Sequence, residues 1–582
     1  MRRRGKKILV YRRIFMQDQI LKSYLDDFTK EYSYEDKNED ERFERFVNYC
    51  IVSKQYPRDF DVESISVGGG SDSGLDGVAI IVNGNIIQNQ EEIEFLINRN
   101  GYLNVSFLFI QTKNSPKFKG DQVGSLIFGL KSFFDKTPSI PENEEISNLR
   151  KTKDQVYKNT INLESAPLLD IYFVTTGQWK EPETITGRVE RELKDFYDSR
   201  LFSSIKFNYI DADKLKETYR EIRRKTIKEI NFHNHVALPD IQGVRQSFIG
   251  SVSAKEFVKL IMDSDGELQK SLFEENVRDF QGRNKVNKDI DKTLKTPELQ
   301  AALGILNNGI TIIAKKVEPI GSKMKLTDFQ IVNGCQTSHI LYENKANLLE
   351  NTHVVLKVIE TTDIEISSKV IQATNKQTIV TDEAFESLTV FHKDLEEYYK
   401  ARSGKMKHPI FYERRSKQYE GVPSVPAGQV MTLTAQIKAY VSTTLAQPHS
   451  THRYYGELLE SNRNKMFRAD DKKESYFISC LALNRLEREL RSGRLEPRFK
   501  PFKHHLLYIA HYYHELLRKN KAGYNYESII DFYSEEKSYS KLFTVACKTI
   551  DECLKKANIN KRDAVRSKEF TEAIRDNILA SI

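Results

Sequence analysis

Cysteine is scarce in this 582-residue chain: Cys50, Cys335, Cys480, Cys547 and Cys553 are the only five. Their number is odd and no two have the short spacing of a zinc knuckle, which argues against a disulfide framework and a thiolate metal site. Free, buried thiols of this kind fit a reducing compartment. Long apolar runs are also missing: no stretch approaches the ~20 residues of a membrane span. The first thirteen residues are strongly basic (Arg2, Arg3, Arg4, Lys6, Lys7, Arg12, Arg13), but the only apolar stretch beside them is Ile8 to Tyr11. That is short of the ~7–15 apolar residues of a secretion signal. A soluble, cytoplasmic protein is expected, with the basic start a frayed, solvated terminus rather than a DNA-contacting arm. Gly68-Gly69-Gly70 is not followed by Gly-Lys-Ser/Thr, so a nucleotide-phosphate loop is absent too.

What is present suits a globular protein. Hydrophobic residues make up 39% and charged residues 30% of the chain. Aromatics at 10% argue against disorder. At about 100–200 residues per domain, two to four domains are expected. The net charge of +8 is modest for this length and permits a polyanionic partner without requiring one.

Phe43, Phe46, Val47, Cys50 and Ile51 recur at helical spacing, which predicts an amphipathic helix over 41–51 with Glu44 beside its apolar face. A strand is expected over Val62 to Val67, followed by the glycine-rich turn 68–74. Asp76 then opens a strand over Gly77 to Val82, and Asn83-Gly84 marks a hairpin. A short helix (Glu91 to Asn98), a strand (Asn104 to Lys113), a helix bearing Val123, Leu126, Ile127, Leu130, Phe133 and Phe134, a strand (Leu168 to Thr175), a helix near Val189 to Tyr197 and a strand (Ile205 to Ile210) complete an α/β layer with a mixed sheet. The region from 231 to about 450 mixes helices with short strands at Ile310 to Ala314, Phe329 to Val332 and Val354 to Ile359. Beyond 451 the pattern is mostly helical.

One constellation carries hydrolytic chemistry. Mg²⁺ takes hard oxygen ligands, usually one or two carboxylates completed by waters and phosphate, and phosphodiester cleavage uses that ion to stabilise charge and activate water. Asp76 opens one strand and Lys113 ends another, so both are expected at one sheet edge. Gln111 and Lys113 are two apart on a strand and share a face; the Thr112 carbonyl between them is a further candidate ligand. Glu44 on the first helix, Gly74-Leu75-Asp76-Gly77 and Gln111-Thr112-Lys113 together resemble the PD-(D/E)XK nuclease superfamily over Glu44 to about Ile210. The resemblance implies Asp76, Gln111 and Thr112 as metal ligands, with Lys113 serving the attacking water and Glu44 completing the site. Gln111 stands where Asp or Glu is usual, a departure that resembles the Mrr-like branch.

A second constellation is rich in amides. Asn276-Val277-Arg278, Asn307-Asn308-Gly309-Ile310-Thr311, Ile331-Val332-Asn333-Gly334-Cys335-Gln336-Thr337, Ala373-Thr374-Asn375-Lys376-Gln377 and Tyr412-Glu413-Arg414-Arg415 hold many donors and few acids. Such groups bind anions but are poor general acids or bases at neutral pH. A phosphate-bearing ligand or nucleic acid is expected at Arg278, Asn308, Asn333, Gln336, Asn375, Arg414 and Arg415; the alternative is that the amides tie turns together. These five motifs resemble the AIPR (abortive infection phage resistance) family over about 231–460, and a preceding PD-(D/E)XK-like region is typical of that family. Segment 402–419, where Arg402, Lys405, Lys407 and Lys417 interleave with Phe411, Tyr412 and Tyr419, suits a nucleic-acid surface. Arg485, Arg488, Arg491, Arg494, Arg498, Lys500 and Lys503 are expected on a solvated helix face. His449, His452, His504, His505, His511 and His514 lack accompanying acids or cysteines and read as structural rather than metal-binding.

The expected architecture is therefore α/β: a PD-(D/E)XK-like nuclease domain (1–230), an α+β AIPR domain (231–450) and a helical region (451–582). The resemblances imply an endonuclease of bacterial antiphage defence using Mg²⁺ or Mn²⁺, acting on nucleic acid with DNA favoured. A homodimer is expected, since one metal centre cuts one strand. The alternatives are a nuclease-dead binding protein and a ribonuclease.

Overall fold

The computed structural model describes residues 18–580 apart from 57, 59, 70–73, 224–225, 274–284, 376–389, 415–417, 420–421, 423, 454 and 558–560. The basic start, Arg278 and Arg415 lie outside the described residues.

The first sheet has five strands: β1 (Gly77–Val82), β2 (Asn85–Ile86), β3 (Val105–Lys113), β4 (Leu168–Thr175) and β5 (Ser204–Ile210). Their order is β2-β1-β3-β4-β5, with β1 antiparallel to both β2 and β3, and β3, β4 and β5 mutually parallel. The sheet is thus mixed, as the strand order in the sequence predicts. The Asn83-Gly84 turn joins β1 to β2 with both residues at positive φ, as a two-residue hairpin loop of this hand requires.

Strand periodicity explains why β3 reads as an unbroken apolar run. Its even residues, Leu108 and Ile110, join a core with helices α1 (Gln19–Tyr32), α2 (Glu39–Gln55) and α9 (Ala212–Arg223). Its odd residues, Phe107 and Phe109, join a second core with α5 (Gly120–Phe134) and α6 (Glu144–Lys158). Covered on both faces, the strand is apolar from Phe107 to Ile110 and turns polar at its last three residues. Between these lie the remaining helices of the region: α3 (Val62–Ile65), α4 (Gln90–Asn100), α7 (Glu183–Glu192) and α8 (Lys194–Ser199).

Three expectations are corrected here. Val62 to Val67 is not a strand; Val62–Ile65 forms one helical turn because the Asp61 carboxylate caps it by accepting from Glu63 N. The helix near Val189 to Tyr197 is two helices, with the break at Leu193. Helix α6 was not anticipated: it is polar except for a narrow stripe of Ile146, Leu149 and Val156.

The second sheet has six strands in the order β6-β10-β9-β11-β8-β7: β6 (Ile227–Asn231), β7 (Asn234–Ala237), β8 (Gln246–Ser253), β9 (Ile310–Ile320), β10 (Lys323–Asn333) and β11 (His353–Glu360). β9 and β10 form a long antiparallel hairpin, and β11 lies parallel to β9. Helices α10 (Ala254–Ile261), α11 (Lys285–Lys295), the short turns α12 (Pro297–Gln300) and α13 (Leu303–Leu306), α14 (Cys335–Glu343) and α15 (Ile364–Asn375) surround it. The rest is predominantly helical, around one core that draws on residues from Phe391 to Ile574.

The run from Arg485 to Lys503 is not simply a solvated face. Arg485 is buried and donates to the Tyr533 and Asn484 oxygens, and Lys503 holds Glu487 at 2.9 Å. Burial of Arg485 was hidden because a long cationic side chain is ordinarily exposed. No described helix is long and apolar enough to cross a membrane.

Candidate metal centre

Asp76 sits just before β1, and its backbone is fixed from three sides. Its N–H donates to Ile110 O (2.9 Å), and its carbonyl accepts from Val67 N (3.2 Å) and from the Asn48 side chain (3.1 Å). Asn48 is fully buried on α2 and also reaches Ser66 Oγ at 3.0 Å. Sequence reasoning missed this residue; the available signal was an amide inside the apolar run Phe46-Val47-Asn48-Tyr49-Cys50. With its main chain locked, Asp76 aims its carboxylate across the end of β3. Oδ2 accepts from Thr112 N (2.6 Å) and Thr112 Oγ1 (3.1 Å), and Lys113 Nζ stands 3.8 Å from the same oxygen.

Strand geometry extends this picture. Ile110 O and Thr112 N both face Asp76, and in a strand the N–H and C=O of one residue point to the same side. The Thr112 carbonyl therefore turns toward the Asp76 side too, beyond the last β1 residue that could claim it. The structure thus gathers Asp76, Thr112 and Lys113, as the sequence anticipates.

Gln111 is 2% exposed. Its Nε2 donates to the Gly74 carbonyl at 2.7 Å, while its Oε1 is buried with no hydrogen-bond partner. A buried amide oxygen left without a donor costs about 1–3 kcal/mol. It is the type of hard acceptor a divalent ion takes. Gly74 holds its carbonyl there at φ +74°, where a Cβ would lie 3.1 Å from Gln111 Nε2. The amide thus does what a carboxylate cannot: it donates to Gly74 and keeps an oxygen for the site. This gives a physical reason for Gln at this position.

Glu44 is on α2. Its carboxylate rests against Gly68, and Arg45 Nη1 is 3.9 Å away. Gly68 begins the segment that leads to Asp76. Among the described residues no three His, Cys, Asp or Glu cluster as a metal-binding group. The donor set at β3 is one carboxylate, one amide oxygen and one carbonyl, which fits a hard ion that keeps several waters and not a thiolate or imidazole metal.

The amide-rich motifs meet elsewhere. Gly334, at φ +92°, leaves room where a Cβ would lie 3.1 Å from Gly309 O, so the two Asn-Gly turns pack against each other. Asn307 Nδ2 donates to Thr337 Oγ1 (2.9 Å), and Asn307 Oδ1 accepts from Gly309 N (2.9 Å). Asn333 Nδ2 donates to Thr374 O (2.8 Å), next to Asn375 at the end of α15, and Gln336 Oε1 accepts from Asn287 (2.5 Å). Asn308 is exposed at this junction. The structure therefore brings the segments of Asn308, Asn333, Gln336 and Asn375 together, with several of their amides engaged in tying one segment to the next. The Asn375 side chain lies outside the described residues. Arg414 is not part of the junction; it is buried in the helical core with its Nε on Glu396 Oε2 at 3.0 Å. Arg402 pairs with Glu527. Among the histidines, His505 and His514 are buried in the helical core region.

Residues 273–560 match the family model described as AIPR protein. No curated protein and no solved structure matches the chain.

Proposed function

Starting from the AIPR match, which supports membership of that family, we propose that this chain is a divalent-metal-dependent endonuclease of antiphage defence. Its hydrolytic centre is at Asp76, Gln111, Thr112 and Lys113, and the amide junction of the second sheet acts in recognition. The observation that carries the reading is the end of β3: a locked carboxylate, a buried amide oxygen without a donor, and a lysine ammonium 3.8 Å from that carboxylate.

The chain's own groups divide the work. Asp76 and the oxygens of Gln111 and Thr112 present hard ligands for Mg²⁺ or Mn²⁺. When bound, the ion supplies positive charge to the phosphate and acidifies a water. Lys113 orients that water or neutralises a phosphate oxygen. Thr112 N–H and Oγ1–H hold the Asp76 carboxylate in one rotamer, because both donate to its Oδ2. Glu44 packs its carboxylate against Gly68, eight residues before Asp76, and serves as a supporting acid. DNA is the favoured substrate, and a two-fold dimer would supply one centre per strand.

The test is to incubate the full chain with supercoiled plasmid, linear duplex and single-stranded RNA, with Mg²⁺, with Mn²⁺ and with EDTA. Nicking of DNA that EDTA abolishes is the expected result. Cleavage of RNA alone would move the substrate class. A second reading, a binding protein without hydrolysis, is favoured by the neutral amide at 111; binding of DNA with no cleavage under any divalent ion would establish it.

A further inference from the structure

Helix α5 turns one face away from the core. Asp121, Gly124, Ser125 and Phe128 follow at i, i+3, i+4 and i+7, so they form one stripe. The middle of the stripe is small and its ends are not, which makes a trough along the helix. Phe128 is 52% exposed although it is a large aromatic on an otherwise well-packed helix. Ile140, Arg188 and Gly74 join the stripe in lining the trough, an open depression with a volume of about 390 Å³. That is within the range of small-ligand sites, about 300–1,000 Å³.

Two features show that the cleft is built rather than incidental. Arg188 lies flat over the helix at Gly124, where a Cβ would fall 2.0 Å from Nη2. Its guanidinium is held there by Gly120 O (2.8 Å) and by Glu192. Gly74 closes the cleft on the other side, and its carbonyl is the group that Gln111 holds. Gly74 and Asp76 are two residues apart, so their Cα atoms are within about 7 Å. The cleft therefore opens directly beside the candidate centre.

Its chemistry selects the occupant. Arg188 is already matched by Glu192, and Asp121 adds a second carboxylate, so the cleft is not an anion receptor. A phosphate belongs outside it, at Lys113. What the cleft offers is an aromatic face, an aliphatic wall, a planar donor group and an acceptor. That combination fits a nucleobase, which stacks on aromatic side chains and is read along its edge by Arg and Asp.

We propose that this cleft is a nucleobase subsite: an unpaired base beside the cleaved phosphate lies on Phe128, with its edge toward Arg188 and Asp121. The proposal rests on the nuclease reading for what happens next to the cleft, but not for the binding itself. A base held in a duplex cannot enter a trough of this kind, so the site selects single-stranded or locally opened nucleic acid.

The experiment uses the full chain in EDTA and a single-stranded deoxyoligonucleotide carrying 2-aminopurine. Wild type should quench the fluorescence on binding. Phe128→Ala should lose the quench and weaken binding by about tenfold, whereas Phe128→Trp should keep both. Because Phe128 is half exposed, Phe128→Ala should retain the wild-type circular dichroism spectrum. Gly124→Ala is the second probe: alanine favours the helix, while its methyl displaces Arg188, so the variant should fold as well as wild type and lose preference among bases. Quenching by wild type that Phe128→Ala leaves unchanged would overturn the proposal. Phe128-dependent quenching with no cleavage in Mg²⁺ would support the subsite and bring down the hydrolytic reading. Cleavage without Phe128-dependent quenching would bring down the subsite alone.

Discussion

The two sheets of this chain end in opposite ways. Where β3 of the first sheet runs out, polar groups stay available: Lys113 Nζ stands 3.8 Å from Asp76 Oδ2, and Gln111 keeps a buried Oε1 without a hydrogen-bond partner. Where β9 of the second sheet begins and β10 ends, the amides turn inward on neighbouring segments, Asn307 on Thr337 and Asn333 on Thr374. The first site is sparse in sequence and open in chemistry. The second is conspicuous in sequence and, among the described residues, largely closed on itself. Density of polar motifs is therefore a poor guide to chemical readiness; a buried acceptor that the fold leaves without a donor is a better one.

The comparison sharpens most under Lys113→Ala. If the β3 end is the working site, cleavage should fall by about 10²–10³-fold, the usual worth of one positioned charge-stabilising donor. The partly exposed side chain should leave little trace on stability, and single-turnover rates together with a thermal melt check both. Gln111→Glu comes next. It removes the donor to Gly74 O and places a carboxyl in a buried pocket, so destabilisation of about 1–3 kcal/mol is expected by denaturant titration. Burial raises the pKa of such a carboxyl. The native variant then binds more protons than its unfolded chain above about pH 4.3, and its deficit should grow as pH rises through that value.

Acid should then separate the regions. No histidine precedes His233, and the twelve histidines all lie between it and His514. Burial pushes His505 and His514 down to about 3, and His511 and His452 to about 4. Depressed in this way, they contribute stability that is whole above about pH 6.5, the ordinary histidine value, and is lost as pH falls toward 4. Glu92, pushed up to about 7 by burial, works in the other direction between its ordinary value and neutrality. Four histidines against one such carboxyl should loosen the helical region first. Trp179, the one tryptophan, stacks on Tyr209 in the first region at 3.9 Å. Its fluorescence should hold to lower pH than amide protection in the helical region, read by hydrogen exchange. The smallest effect is Asn333→Ala, which loses one hydrogen bond to Thr374 O. A cost of about 1 kcal/mol is expected, with the metal dependence of cleavage unchanged.

How much of this could be read from residues alone follows from the period of each signal. β1, β3, β4 and β5 were legible because apolar runs bounded by Gly, Asn and Lys admit few other readings, and β4 runs from Leu168 to Thr175 as expected. α6 was not, because its apolar stripe is narrow and its surface is lysine, asparagine and glutamate. The grouping of Asp76, Thr112 and Lys113 was legible from their places at strand ends. Asn48 was not, since its partner Asp76 is 28 residues away and only the fold brings them together. The same holds for Arg414, whose motif gave no hint of Glu396 on a neighbouring helix. For the amides, sequence showed the groups but not their partners, and the partners decide what each can do.

One measurement tests the central claim most directly: nicking of supercoiled plasmid in Mg²⁺ by wild type and by Asp76→Ala, at equal concentration of folded protein. Asp76 is the carboxylate that Thr112 holds at the end of β3 and that Lys113 faces. The account predicts that wild type nicks, that EDTA stops it, and that Asp76→Ala is inert while still binding the plasmid. Equal, EDTA-sensitive nicking by both proteins would contradict it and place the hydrolytic centre elsewhere in the chain.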